Sequence, residues 1–340
     1  MRKTIIFFTI LFNNIAVFGQ INPEEQKSEE EFYKTTKKWF SAWELVSKES
    51  YHIRKVKPVE FVFFDEMYVY STSNTTITNG SPIKGCNLLN LKLNWKKALH
   101  NGSLTMPDKA SIPIGLMSFA AEIPQEANKS FFAMPLPSFW MKSGVESKEL
   151  GLENLITGVF IHEFSHSQQM QNFGKQITLY EQNNSFEVNF SDDLVQNIFQ
   201  NNASYVKCYN QEVNLFYSAI NNNSLDKPFL NKAIELMKRR QKKYFKEEYI
   251  ELTEIDDFFL TMEGLGQYSM YLWLTHPKGA NLKKEVAIKG VRRHKNWWSQ
   301  DEGFALFLVL DCISKSKKWA KEMFGNNTVS VTSLIEQFKN

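Results

Sequence analysis

The chain has 340 residues, 43% hydrophobic and 23% charged, with a formal net charge of +3. The length suits one large domain or two modest ones with a real core. So weak and dispersed a charge excludes the footprint of a nucleic-acid or membrane-surface binder. An aromatic content of 14% points to bulky packing and an aromatic-lined cleft. The first residues, MRKTIIFFTILFNNIAVFGQ, combine a basic start at Arg2 and Lys3 with an apolar run from Thr4 to Phe12. This predicts a signal peptide over 1–19, cut after Gly19, and an exported, secreted or periplasmic protein. The run is too short to span a bilayer, and no later stretch qualifies as a membrane span. Cys86, Cys208 and Cys312 are far apart with no CxxC, so they carry no metal or redox signature.

Glu24 to Ser50 places Phe32, Trp39, Phe40, Trp43 and Leu45 at helical spacing and predicts an amphipathic helix. VEFVFFDEMYVYS (59–71) predicts a strand, and the turn-rich TSNTTITNGSP follows it. The segment KSFFAMPLPSFW predicts a short apolar strand around Phe131–Leu136. Pro135 and Pro137 remove ladder donors and argue for a sheet edge there. From about Lys148 the patterns turn helical, with helices predicted over 152–172, 192–221, 227–247, 256–275 and 303–324. SDD (191–193) and EIDD (254–257) supply candidate N-caps. The expected fold is α+β: residues 20–150 hold a helix and a mixed sheet with a substrate-edge strand, and 151–340 form a helical metal-binding half of the same catalytic unit.

The stretch VFIHEFSHSQQ (159–169) carries the chemistry. A helix sets residues i and i+4 on one face, so His162 and His166 offer two imidazole nitrogens to one metal ion. Glu163 is turned about 100° from His162 and faces the water beside the metal rather than the ion itself. In a chain with six histidines this motif arises by chance on the order of once in a hundred such sequences. The uncharged LITGVFI before it predicts a buried helix, where two histidines and a glutamate are costly without partners.

VFIHEFSH resembles the zincin signature, whose two histidines bind zinc. The metzincin extension, a glycine and third histidine, is absent from SQQMQNFGKQ. LTMEGLGQYSMYLW (260–273) instead resembles the gluzincin pattern and puts Glu263 in the place of the third ligand. Gln267 stands where gluzincins often carry an acidic partner for a zinc histidine. Gln168 stands where zincins usually have an apolar residue. The resemblance covers roughly 152–172 and 256–275. It implies a zincin-like fold with Zn2+ on His162, His166 and Glu263, and a metallopeptidase hydrolysing peptide bonds of a peptide or protein substrate by a zinc-activated water, with Glu163 as general base.

Glu212 is a second lone carboxylate on an apolar helix, read either as an alternative ligand or as a partner of Arg239 or Arg240. In RRHKNWWSQDEGF, Arg292, Arg293 and His294 are candidates to donate to an oxyanion or to bind a substrate carboxylate, and Asp301 and Glu302 are expected to cap a helix starting near Gly303. Tyr268 and Tyr271 are further oxyanion donors or simply core residues. His52, His100 and His276 are read as surface residues, and KRRQKKYFKEE (238–248) as a solvated helix face. The alternatives to a peptidase are a non-catalytic exported zinc-binding protein and a zinc hydrolase acting on a non-peptide bond.

Overall fold

Phe32, Trp39, Phe40, Trp43 and Val46 recur at intervals of one and two helical turns, and all are buried. They form the inner stripe of α1 (Pro23–Leu45), which runs into one π turn at Val46–Ser50. The computed structural model describes residues 23–124, 126, 128–221, 224–292 and 296–339. The signal peptide expected over 1–19 lies outside these residues.

Alternation then builds the sheet. The stretch 59–71 is two strands, β1 (Val59–Phe64) and β2 (Tyr68–Ser71), rather than one. Asp65 breaks it: its Oδ1 accepts the amides of Met67 and Tyr68 at 2.8 and 2.7 Å, an Asx turn that reverses the chain. Short β3 (Ser81–Pro82) and β4 (Lys96–Leu99) extend one side. A small hairpin of β5 (Ser103–Thr105) and β6 (Ser111–Pro113) precedes β7 (Phe119–Glu122) and β8 (Ser130–Pro135). The sheet order is β3-β4-β2-β1-β8-β7, with β1 and β8 parallel and the other pairs antiparallel.

The expected edge strand at 131–136 is therefore interior: β8 pairs with β1 on one side and β7 on the other. The edge is β7. Pro135 is tolerated because β7 stops opposite Ala133, so no neighbour remains on that side to receive an amide.

The two faces of the sheet follow the period of two. Phe61, Phe63, Phe132 and Met134 face the helices, while Val62, Phe64, Phe131 and Ala133 pack with Leu104, Met106 and Ile123. On the helical side, Phe61 stacks on Phe164 at 5.7 Å and Trp39 on Phe160 at 5.1 Å. These contacts seat α3 (Leu152–Gln169) under the sheet, after the short α2 (Pro137–Lys142).

Beyond α3, a π turn at Met170–Gly174 leads into α4 (Lys175–Asn183). The helix predicted over 192–221 is two, α5 (Leu194–Phe199) and α6 (Ala203–Ser218). The Asn202 side chain caps α6 by accepting the Tyr205 amide at 3.1 Å. Next come α7 (Lys227–Tyr244), α8 (Leu252–Thr275), α9 (Lys284–Val291), α10 (Trp298–Ile313), α11 (Ala320–Met323) and α12 (Val331–Phe338). The expected caps are displaced. Asp193 precedes α5 without a side-chain cap bond, Asp256 lies inside α8, and α10 starts a turn before Gly303, so Asp301 and Glu302 are inside it. The architecture is mixed α/β, with the mixed sheet in the N-terminal half and helices beyond it. Cys86, Cys208 and Cys312 are not disulfide-bonded.

Candidate metal centre

Buried α8 packs between α3 and α10. The approach depends on glycine. A Cβ on Gly266 would lie 2.6 Å from Nδ1 of His162, and one on Gly158 would lie 2.6 Å from Cε of Met270. On the other side, a Cβ on Gly264 would sit 2.4 Å from the Gly303 carbonyl carbon, so the α8 and α10 backbones touch there. The glycines let α8 come close enough for Glu263 to meet the histidines.

His162 and His166, one turn apart on α3, turn their Nε2 atoms to within 3.0 Å of each other. Each faces a different oxygen of Glu263: Oε2 lies 3.2 Å from His162 and Oε1 lies 3.2 Å from His166. All three residues are buried, at 5%, 6% and 7% exposure. Three donors held at about 2.0–2.1 Å from one tetrahedral ion lie about 3.3 Å from one another. The observed triangle has that scale, and its donor set, two imidazoles and a carboxylate, suits zinc. It is the one cluster of three or more metal-ligating side chains found among the described residues.

The electrostatics of the metal-free protein point the same way. Burial resists ionisation of Glu263, yet the charge of His166 and bonds from both histidines hold its carboxyl well below the usual range. Burial likewise works against the His166 imidazolium, but the Glu263 carboxylate outweighs it and raises the ring to about 9, with Glu163 adding a smaller push. A proton on His166 and a metal ion at the cluster would compete for the same imidazole, so metal binding would be coupled to proton release. Asp192 and Asp193 surround the cluster with more negative charge. Burial and then the Glu263 charge raise Asp192 to about 7 and Asp193 to about 6. A divalent cation between His162, His166 and Glu263 would relieve all of these. The imidazole of His166 is also neighboured by the buried side-chain amide of Gln169, which further favours its charged form.

Glu163 follows His162 on α3 and is half-buried, at the boundary between the cluster and solvent. Gln267 donates to Gln300 at 2.5 Å, linking α8 to α10. Gln168 turns away from the cluster and accepts the Lys57 amide at 2.7 Å, which ties α3 to the segment leading into β1.

Other candidates fall elsewhere. Tyr268 is turned about 140° from Glu263 around α8. Its ring stacks on Phe307 at 5.8 Å and meets Trp319 and Tyr271, and its neighbours in charge are Asp311 and Tyr51. These partners are away from His162, Glu163, His166 and Glu263. His294 and Arg293 lie outside the described residues. Arg292 is bonded to Asp301 at 2.8 Å and lies 3.6 Å from the centre of the Tyr217 ring. Glu212 takes its second reading: it accepts from Nε of Arg240 at 2.7 Å and is fully buried.

That pair corrects the reading of 238–248 as a solvated face. Arg240 is 2% exposed and also reaches Glu302 at 3.2 Å, the Tyr205 hydroxyl, and Asp256 at 3.8 Å. Asp192 and Asp193, expected only as caps, are the acidic neighbours that the sequence reading missed. Two adjacent aspartates ahead of an apolar helix were the available signal, and it reads equally well as a cap.

Comparison with family models, curated proteins and solved structures finds no match to this chain. What the site defines is a buried His–His–Glu cluster with the geometry to hold a metal ion.

Proposed function

We propose that the chain is an exported, zinc-dependent metallopeptidase of gluzincin type and zincin-like fold, acting on peptides or proteins. The observation that carries this reading is the convergence of His162, His166 and Glu263 at 3.0–3.2 Å from two helices that are far apart in sequence, with Glu163 beside them. A zinc ion held there would supply Lewis acidity toward water and a carbonyl oxygen. The remaining steps belong to the chain. Glu163, fixed by α3 next to the ligand pair, takes a proton from the attacking water and delivers it to the departing amide nitrogen. A purely structural site has no need of that carboxylate. The half-exposed edge strand β7 lies against α3 and offers unpaired backbone groups to an extended peptide.

The test is Glu163→Gln, assayed with a peptide library beside the wild type. The variant keeps every ligand, so it should bind zinc normally and lose turnover by orders of magnitude. Equal cleavage by both proteins, or none by zinc-loaded wild type, would remove the peptidase reading.

A further inference from the structure

On the far side of α3 from the histidines lies a pocket of about 450 Å³, within the size range of small-molecule sites. Its apolar wall is Trp43 of α1, Ile53, Val56 and Phe324. Trp43 meets Phe324 edge-on at 6.0 Å, and its indole N–H is buried with no protein acceptor. The polar lining is nearly all cationic: Arg54, Lys55, Lys57 and Lys321, with His52 beside them. No carboxylate lines the pocket, and none of the four cations forms an ion pair with a described carboxylate. Lys57 donates to the Gly325 carbonyl at 2.9 Å. Burial, with Lys175 adding like charge, brings its ammonium down to about 8, as expected for a cation without a counter-ion. Elsewhere, the buried or half-buried cations Lys97, Lys129, Arg240 and Arg292 are matched by carboxylates.

We infer that this pocket binds a small amphiphilic carboxylate, its apolar body against Trp43, Val56 and Phe324 and its head among Arg54, Lys55, Lys57 and Lys321. The division of the lining carries the choice. Val56 and Trp43 are buried at the floor, while Arg54, Lys55 and Lys321 are exposed at the rim. Such a site rewards a ligand with one apolar and one anionic end. A free inorganic anion would leave the apolar wall unused. A cationic amphiphile would meet four like charges. Gln168, which departs from the apolar residue usual in zincins, lines this pocket and bonds to the backbone of Lys57.

Calorimetry with dodecanoate on the full chain tests the inference, with dodecyltrimethylammonium and inorganic phosphate as probes of the alternatives. Wild type should bind one dodecanoate per chain. Arg54→Glu/Lys55→Glu should bind it at least tenfold more weakly, and phosphate in excess should not displace it. Both substituted residues are exposed and unpaired, so the fold is not at stake. Absence of saturable binding, equal affinity in the double variant, displacement by phosphate, or equally tight binding of the cationic amphiphile would each overturn it.

Discussion

Arg240 is the cation most deeply built into the fold. Its guanidinium is shared by Glu212 and Glu302, with Asp256 at 3.8 Å and the Tyr205 ring centred 5.2 Å away. Three carboxylates around one cation cannot all ionise cheaply. Burial raises Glu302 well above its usual range despite Arg240, and raises Asp256 to about 6. Two substitutions separate these roles. Arg240→Met strands buried carboxylates and should cost about 3–5 kcal/mol in urea denaturation. Glu302→Gln keeps the shape and removes a charge that burial disfavours, so it should cost under about 1 kcal/mol. Comparable losses would refute that assignment of charge. The cluster was half legible in the sequence. Arg240 continues the buried stripe Leu230, Ala233, Ile234 and Met237 at helical spacing, but the basic neighbours on either side masked it. The meeting of His162, His166 and Glu263 was legible because a helical period and a lone carboxylate in an apolar helix are local signals. Asp192 and Asp193 act on the cluster through space, where no local pattern reports them.

At the scale of elements, the His162–His166–Glu263 cluster is a product of how closely α3, α8 and α10 approach. Gly266 faces the His162 ring, so Gly266→Ala must shift that ring or separate the helices. Zinc affinity, measured by chelator competition, should fall about ten- to hundredfold, as for other lost supports of a ligand, while far-ultraviolet circular dichroism stays unchanged. Unaltered affinity would mean that the glycine does not set the ligand geometry. The long helices were readable from periodicity, although Asn202 divides one of them, and the helix expected over 303–324 starts at Trp298, ends at Ile313 and is followed by the separate short α11. The sheet order was not readable. Proline in β8 suggested an edge, whereas its position past the end of β7 is a fact of register. Short α4, α9 and α12 went unpredicted because their apolar faces span too few turns to stand out from loop sequence.

For the whole molecule, charge surplus makes the metal-free fold sensitive to pH in a defined direction. Asp192, Asp193 and Asp256 are raised to about 7, 6 and 6, so the native state holds protons that the unfolded chain gives up. The stability linked to them is full below their ordinary pKa of 3.8 and declines as pH rises through those values. His166, raised to about 9, contributes stability that is full below 6.5 and is lost as pH climbs toward that value. Glu263 is depressed, so its contribution is present above 4.5 and lost only in stronger acid. The melting temperature of chelator-treated protein should therefore fall from pH 5 to pH 8, and saturating zinc should flatten that slope, since the cation replaces the protons. A melting temperature that rises over this window would contradict this electrostatic account. The most direct test of the metal centre is the zinc content of purified protein by elemental analysis, on wild type, His166→Ala, Glu263→Ala and Glu212→Ala. The account predicts about one zinc per chain in wild type and in Glu212→Ala, and loss of zinc in the other two. Zinc-free wild type after growth with zinc, or full zinc in Glu263→Ala, would contradict it.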